Sequence, residues 1–376
     1  MPFYYGLRTK VRDPLERKKV IEKLQSLRAS LDANIPPKDV ENTLLLATWN
    51  IREFDPVKTK YGKRLPESLY YIAEIISRFD LVAVQEVNQL GEWKDVMRIL
   101  GSSWDYIATD VTDRSLGGNG ERMVFVYDKR KVRFKNIAGE IVLPSRLLIS
   151  KVPKEAGEQG EEAGKQFRRT PFVVSFQAGW FRFDLATVHI YYGSSSGEKL
   201  DERVEEIAAV ANFLSRRADI GLRKDTALIL LGDFNIVHPE HKTMKALLDN
   251  GFEVPDALRQ KTNLDESKYY DQIAFKTKKD VIEFVNSQSD DPMKRNAGVF
   301  RLFFSTFRKN QIDDYEVAMK KVPALTSKKY KGDLEKFYKD WRTFQLSDHN
   351  PLWARLKVNE SDTYLEMLKA GDEPPP

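Results

Sequence analysis

The chain predicts a layered α/β or α+β protein, with strands and helices packed around a common sheet system. Three observations carry this. Short apolar runs of strand length alternate with amphipathic segments of helical period. Polar clusters stand just past several of those runs, where the ends of neighbouring strands converge. Finally, 376 residues at 41% hydrophobic and 31% charged, with Gly 20 and Pro 17, suit a soluble globular chain and exclude collagenous and wholly disordered classes.

The elements follow in order. Asp13 before Pro14 reads as a helix cap with proline at the first helical position. Val20, Leu24, Leu27 and Leu31 then recur at helical spacing, so an amphipathic helix runs from there and stops before Pro36 and Pro37. Leu44 to Trp49 reads as a buried strand. A helical stretch from Glu67 to Arg78 leads into a second strand, Leu81 to Val84. Further strands are expected at Met123–Tyr127, Phe172–Phe176, Phe183–His189 and Ala227–Leu231, with a long helix from about Glu202 to Arg217 before the last.

Three segments stand outside this scheme. Lys151 to Lys165 is rich in Gly, Glu and Lys with almost nothing to bury, which predicts a mobile loop. Residues 359–376 carry an acidic excess and end in three prolines, which predicts a disordered tail. The stretch 276–340 holds 15 Lys/Arg against 10 Asp/Glu and so accounts for the whole formal charge of +5. It reads as a basic insertion, and its apolar run Val299 to Phe307 as that insertion's own core. The organisation expected is thus a helical extension over 1–40, a main domain over 41–358, and the tail.

Several chemistries are excluded. Without cysteine there is no disulfide framework, no thiolate zinc site and no cysteine nucleophile. The first ten residues lack the layout of a secretory signal, and no window approaches the ~18 apolar residues that span a bilayer. Cytoplasmic residence is the simplest expectation.

The chemistry gathers in four polar clusters, each read as following an apolar strand: Thr48-Trp49-Asn50, Gln85-Glu86, Gly232-Asp233-Phe234-Asn235 and Ser347-Asp348-His349-Asn350. Carboxylates and carboxamides meeting in one cleft are hard oxygen ligands, which suit Mg²⁺ or Mn²⁺. His189 and His349 come from two strand ends and offer proton transfer or contact with a phosphoryl oxygen. This is the composition of metal-assisted phosphodiester hydrolysis. Bland readings stand beside it: Gly, Asp and Asn are common turn formers, and His238, His241, Tyr191 and Tyr192 read as surface or packing residues.

Taken in order, these motifs, with Glu121, Arg169-Thr170-Pro171, Thr187-Val188-His189 and Tyr270-Asp271, resemble the endonuclease/exonuclease/phosphatase superfamily with its deoxyribonuclease-I-like fold. The resemblance covers about residues 43–356. It implies a four-layer αββα sandwich of two mixed sheets. It implies, further, that Glu86, Asn50 and Asp348 lie at the metal, that Asp233 and Asn235 orient the attacking water and hold a phosphoryl oxygen, and that Asn50 and Arg169 reach the substrate phosphate. His349 is expected to pair with Asp271 and His189 with Glu121. Which histidine is acid and which is base, and whether one metal or two are bound, stay open.

The substrate expected is DNA, cleaved by a Mg²⁺-dependent endonuclease, with the basic insertion supplying phosphate contacts. Gln272 departs from the arginine that often follows the aspartate in such nucleases, and the signal and disulfides of secreted relatives are missing. Two alternatives remain. One is a phosphoesterase acting on inositol phosphates or sphingomyelin, against which stands the absence of the Trp-Cys-Asp-Arg signature around Asp271. The other is a non-catalytic nucleic-acid-binding module on the same scaffold.

Overall fold

The computed structural model describes residues 1–56, 60–111, 120–144, 148–149, 166–221, 226–277 and 291–371. The expected loop at 151–165 lies outside the described residues. The chain begins with α1 (Leu7–Lys10), α2 (Pro14–Asn34), β1 (Thr43–Phe54), α3 (Pro66–Ile76), β2 (Leu81–Val87), α4 (Gly91–Leu100), β3 (Trp104–Ala108), β4 (Arg122–Asp128) and β5 (Val132–Glu140). It continues through β6 (Phe172–Ala178), β7 (Phe181–His189), α5 (Glu198–Gly221), β8 (Ala227–Asp233), α6 (Lys242–Leu248) and β9 (Asp271–Lys276). It ends with β10 (Ala297–Val299), α7 (Ile312–Lys320), α8 (Leu334–Gln345), β11 (Leu352–Lys357) and α9 (Ser361–Ala370).

The strands form two mixed sheets, one in the order β10-β11-β1-β2-β4-β3 and the other β5-β6-β7-β8-β9. The α+β sandwich predicted from the sequence is therefore what forms. Its packing follows from strand parity. In β1, Leu44 and Leu46 join the core shared with the second sheet, whereas Leu45, Ala47, Trp49 and Ile51 join the core shared with the helices. β2 and β4 repeat this: Leu81, Ala83, Met123 and Phe125 face the seam between the sheets, and Val82, Val84, Val124 and Val126 face the helices. Both faces of these central strands are dry, which is why they read as continuous apolar runs rather than alternating ones. The outer face of the second sheet is closed by α5 and α6 through Ile207, Leu214, Met244 and Leu247.

Helix α2 starts where the cap predicts it, with the Asp13 carboxylate accepting from the amides of Leu15 and Glu16 and Pro14 leading the first turn. Its Leu24, Leu27 and Leu31 are buried in the helix-side core.

Two expectations are corrected. The run Val299 to Phe307 does not form a core of its own. Phe300, Leu302 and Phe307 enter the core that also holds Trp49 and the α2 leucines, and β10 adds to the edge of the first sheet by pairing with β11. Apolar side chains of an inserted segment gain more by covering an existing hydrophobic face than by closing a small one alone. The tail, expected to be disordered from 359 onward, carries α9. Asn359 accepts from the Ser361 amide at its start, Tyr364 packs on Trp180 with ring centroids 5.4 Å apart, and Gly371 ends it in the left-handed conformation. The acidic charges lie on the exposed sides of a helix whose aromatic side chain finds a partner.

Candidate active site

The site lies at one end of the seam, and register alone assembles most of it. Along the second sheet, β7, β8 and β9 place His189 opposite Asp233 and Asp233 opposite Asp271, so three polar strand ends share one rung. Across the seam, β1 and β2 place Asn50 opposite Gln85. Two bonds tie the sheets together there. Gln85 donates from Nε2 to Thr187 Oγ1 at 2.9 Å, and Asn50 donates from Nδ2 to Asp233 Oδ2 at 3.1 Å. Asn50 Nδ2 also donates to Glu86 Oε1 at 2.8 Å.

Strict alternation would turn Glu86 away from Gln85 and the seam. The register of β2 shifts between Val84 and Val87, and Glu86 itself has φ 65°. This bulge swings the carboxylate into the site, where Oε2 accepts from the Glu53 amide at 2.8 Å. A non-glycine residue in that region costs on the order of 1–3 kcal/mol and persists where the surroundings impose it. Asn235 has φ 52° and is held twice: its amide nitrogen donates to Asp233 Oδ1 at 2.9 Å, and its side chain donates to the Ile190 carbonyl at 2.7 Å. Gly232 is required by space. Its φ is 136°, and a Cβ there would lie 2.1 Å from the Val188 carbonyl oxygen of β7.

Each histidine is backed by a carboxylate. His349 Nδ1 lies 2.8 Å from Asp271 Oδ2, and His189 Nδ1 lies 3.0 Å from Glu121 Oε2. Their Nε2 atoms both approach Asp233 Oδ2, at 3.8 Å and 3.6 Å respectively, and His189 Nε2 is also 3.6 Å from Glu86 Oε1. Burial alone would lower the His349 imidazole, but the facing Asp271 and Asp233 carboxylates hold it well above its ordinary value of 6.5. Burial would likewise raise the Glu121 carboxyl, yet His189 and then Arg169 bring it down to about 2. Arg169 donates from Nε to Glu121 Oε2 at 2.8 Å.

Asp348 stands apart from the rest, and its cluster 347–350, expected to follow a strand, instead follows α8 and leads into β11. The Asp348 carboxylate is 37% exposed and pairs with Arg52 Nη1 at 3.0 Å, on the flank of the site beside His349. For a cation, the fit is good on the seam side. Glu86, Asp233 and the Asn50 carboxamide crowd together, and Glu53 is raised by burial and by the negative charge of Glu86. Among the described residues, one atom each of Asp233, Asp271 and His349 also lie within 4.8 Å of one another, a buried group able to hold a divalent ion.

Several residues that shape the site stand in the sequence motifs with no role attached, Gln85, Thr187 and Tyr270, and Arg203 stands in none of them. Gln85 and Thr187 lock the sheets together. Tyr270 stacks on His349 with centroids 5.5 Å apart. Arg203, fully buried on α5, donates to the carbonyls of Tyr192 and Asn235 and so ties the loop after β7 to the loop after β8. Its signal in the sequence is a charge on the helix face that carries Ile207, Val210 and Leu214. The residues read as bland stay outside the site: His238 is exposed beside Glu240, and His241 caps α6. Tyr191 lies under the Arg168 guanidinium at 3.7 Å, and Tyr192 meets Tyr270 edge to face. Gln272 is fully buried and donates to the Tyr269 carbonyl, so it brings no charge to the site.

Carboxylates, a carboxamide and two carboxylate-backed histidines at the end of a two-sheet seam define the centre of a phosphoester hydrolase. The sequence model of the Endonuclease/Exonuclease/phosphatase family matches residues 47–248, and the chain belongs to that family. A curated relative, "Deoxyribonuclease" of Thioalkalivibrio sp. (strain K90mix), is 29% identical over 204 residues, 53% of this chain and 47% of the relative. The chain therefore aligns with about half the length of that relative. Among solved structures, a family protein of Bacteroides thetaiotaomicron is 18% identical with a TM-score of 0.49, covering 84% of this chain and 98% of its own. A mannosyl-6-phosphatase of the same organism gives 18% and 0.49, covering 83% and 99%. The human Nocturnin catalytic domain gives 13% and 0.48, covering 85% and 98%.

Proposed function

We propose that this protein is a Mg²⁺-dependent nuclease, an endonuclease that hydrolyses phosphodiester bonds of DNA. The observation that carries the reading is the placement of Asp233 between two histidines, each held at Nδ1 by its own carboxylate, beside the Asn50–Glu86 pair. Phosphodiester hydrolysis needs a water aligned against the leaving oxygen and positive charge where negative charge grows. Asp233, with Asn235 beside it, orients the water and takes its proton. His349, raised well above its ordinary value, is cationic at neutral pH and stabilises the phosphoryl oxygens. Asp271 fixes its ring so that Nε2 faces the substrate. Glu121 does the same for His189, and Arg169 holds Glu121 in place. Glu86 and Asn50 would hold the cation beside Asp233, whereas Asp348, expected at the metal, is engaged by Arg52 on the His349 flank. When bound, Mg²⁺ supplies a Lewis acid at the phosphoryl oxygen. The relative named deoxyribonuclease supports DNA as the substrate.

The test is conversion of supercoiled plasmid in Mg²⁺, in chelator, and in Mn²⁺, with a phosphoinositide assayed in parallel. Nicking that chelator abolishes and either metal restores is the expected result. No nicking alongside turnover of the phosphoinositide overturns the nuclease reading in favour of a small-substrate phosphoesterase.

A further inference from the structure

Two hollows flank the candidate centre, and they differ in size and charge. On the His189 side is a space of about 20 Å³, room for water, among Glu86, Glu121, Glu140 and the arginines 122, 168 and 169. On the His349 side is a cleft of about 540 Å³, within the usual size range of a ligand pocket. Its floor is Tyr270 and His349, and its walls come from the loop before β9 and from the segment 291–345.

Three carboxylates line this cleft, Asp265, Asp340 and Asp348, of which Asp265 is exposed to solvent and the other two are engaged by cations. Asp348 is paired with Arg52 at 3.0 Å. Asp340 is engaged by Lys329 and by the Tyr330 hydroxyl at 2.6 Å. Arg342 is buried, donating to the Phe307 carbonyl and lying 4.4 Å from the Phe303 ring centroid. Two cations are left over. Lys309 and Lys339 line the cleft, are exposed, and pair with no carboxylate among the described residues. They reach it from separate elements, the turn before α7 and the middle of α8, and both belong to the segment that holds the chain's entire formal excess of positive charge.

We infer that this cleft is a polynucleotide subsite, in which Lys309 and Lys339 hold a backbone phosphate neighbouring the scissile one on the His349 side. The inference rests on the nuclease reading and deepens it. It makes the preferred substrate a chain with more than one phosphate, and gives that chain a direction of exit along the broader side of the centre, where two lysines have no carboxylate partner among the described residues. Lysine ammonium groups placed this way act as point charges on phosphate, giving affinity without base preference and releasing counterions on binding.

The experiment is steady-state cleavage of a labelled 12-nucleotide single-stranded DNA and of a dinucleoside monophosphate, by wild type, by the Lys309→Ala/Lys339→Ala variant and by Lys309→Arg/Lys339→Arg. For the 12-mer, the alanine pair is expected to raise KM about tenfold with kcat within about twofold. The magnitude of its slope of log kcat/KM against log salt should also fall by about 0.7, for one phosphate contact on a single strand. The arginine pair should restore both. For the dinucleoside monophosphate, which has no neighbouring phosphate, wild type itself should show the high KM. A KM and salt slope for the 12-mer that are unchanged in the alanine pair, while wild type cleaves it, overturn the subsite and leave the nuclease reading standing. Failure of wild type to cleave the 12-mer while it nicks supercoiled plasmid overturns the subsite alone, and failure on the 12-mer, the dinucleoside monophosphate and the plasmid overturns the nuclease reading and the subsite with it.

Discussion

At the scale of single residues, the candidate site works by restraint. His349 is held from Nδ1 by Asp271, from its backbone amide by Ser347 Oγ at 2.9 Å, and from its carbonyl by the Trp49 indole at 3.0 Å. Asp271→Asn preserves size and burial but removes the charge that favours the imidazolium and fixes its tautomer. It is expected to lower kcat by about 10²- to 10⁴-fold with an unchanged melting temperature, read from initial rates and calorimetry on one preparation. Glu121 gives a pH signature. Its carboxyl sits at about 2 against an ordinary value of 4.5, so its contribution to stability is complete above 4.5 and disappears as pH falls toward 2. Melting temperature followed from pH 6 to pH 2.5 should therefore drop more steeply for wild type than for Glu121→Gln, and parallel curves would show that the Glu121–His189–Arg169 group adds nothing to stability. The site was legible in the sequence to the extent that a side chain's direction follows from strand end and motif. His189, Asp233 and Asp271 sit in register on neighbouring strands, and Asn50 meets Asp233 across the seam. Asp348 illustrates the limit, because it adjoins His349 in sequence while its carboxylate turns to Arg52. So does Glu86, which reaches the seam through a positive φ that no periodicity encodes.

At the scale of elements, strand ends carry the chemistry and helices hold them in place. The approach of β8 to β7 at Gly232 leaves no room for a Cβ, so Gly232→Ala should destabilise the fold by more than about 1 kcal/mol, measured by denaturant unfolding. At the other extreme, the Asp13 cap of α2 is exposed, and Asp13→Ala should cost about 0.5–2 kcal/mol while leaving activity alone. Helix α2 is tied to the late segment through Lys23, which bonds the Tyr315 hydroxyl at 3.0 Å and the Asp314 carboxylate at 3.0 Å. The first helix and the basic stretch thus share one core, although they are separated by most of the chain. The helix itself was readable from Asp13-Pro14 and the leucine spacing. The joint core was not, because it depends on Phe307 meeting Tyr71, a contact between segments far apart in sequence. The short edge strands β3 and β10 escaped for a related reason. An edge strand buries one face weakly and carries little apolar signal of its own.

At the scale of the whole molecule, charge and shape point the same way. The basic excess falls on a segment that buries its aromatic face in the main core and turns Lys309 and Lys339 toward a cleft beside His349. Fold class was predictable from the alternation of elements and from the dry central strands. The split into two cores, and the division of the site into a narrow side and a broad side that carries Lys309 and Lys339, required the packing of the late segment. The central claim is that the Asp233-centred group with its two backed histidines performs phosphodiester hydrolysis. Its most direct test is the rate at which supercoiled plasmid is nicked in Mg²⁺ by wild type and by His349→Ala, at matched melting temperatures. Wild type is expected to nick the plasmid, and the variant to do so about 10²- to 10⁴-fold more slowly. Nicking at an equal rate in the variant would contradict that claim.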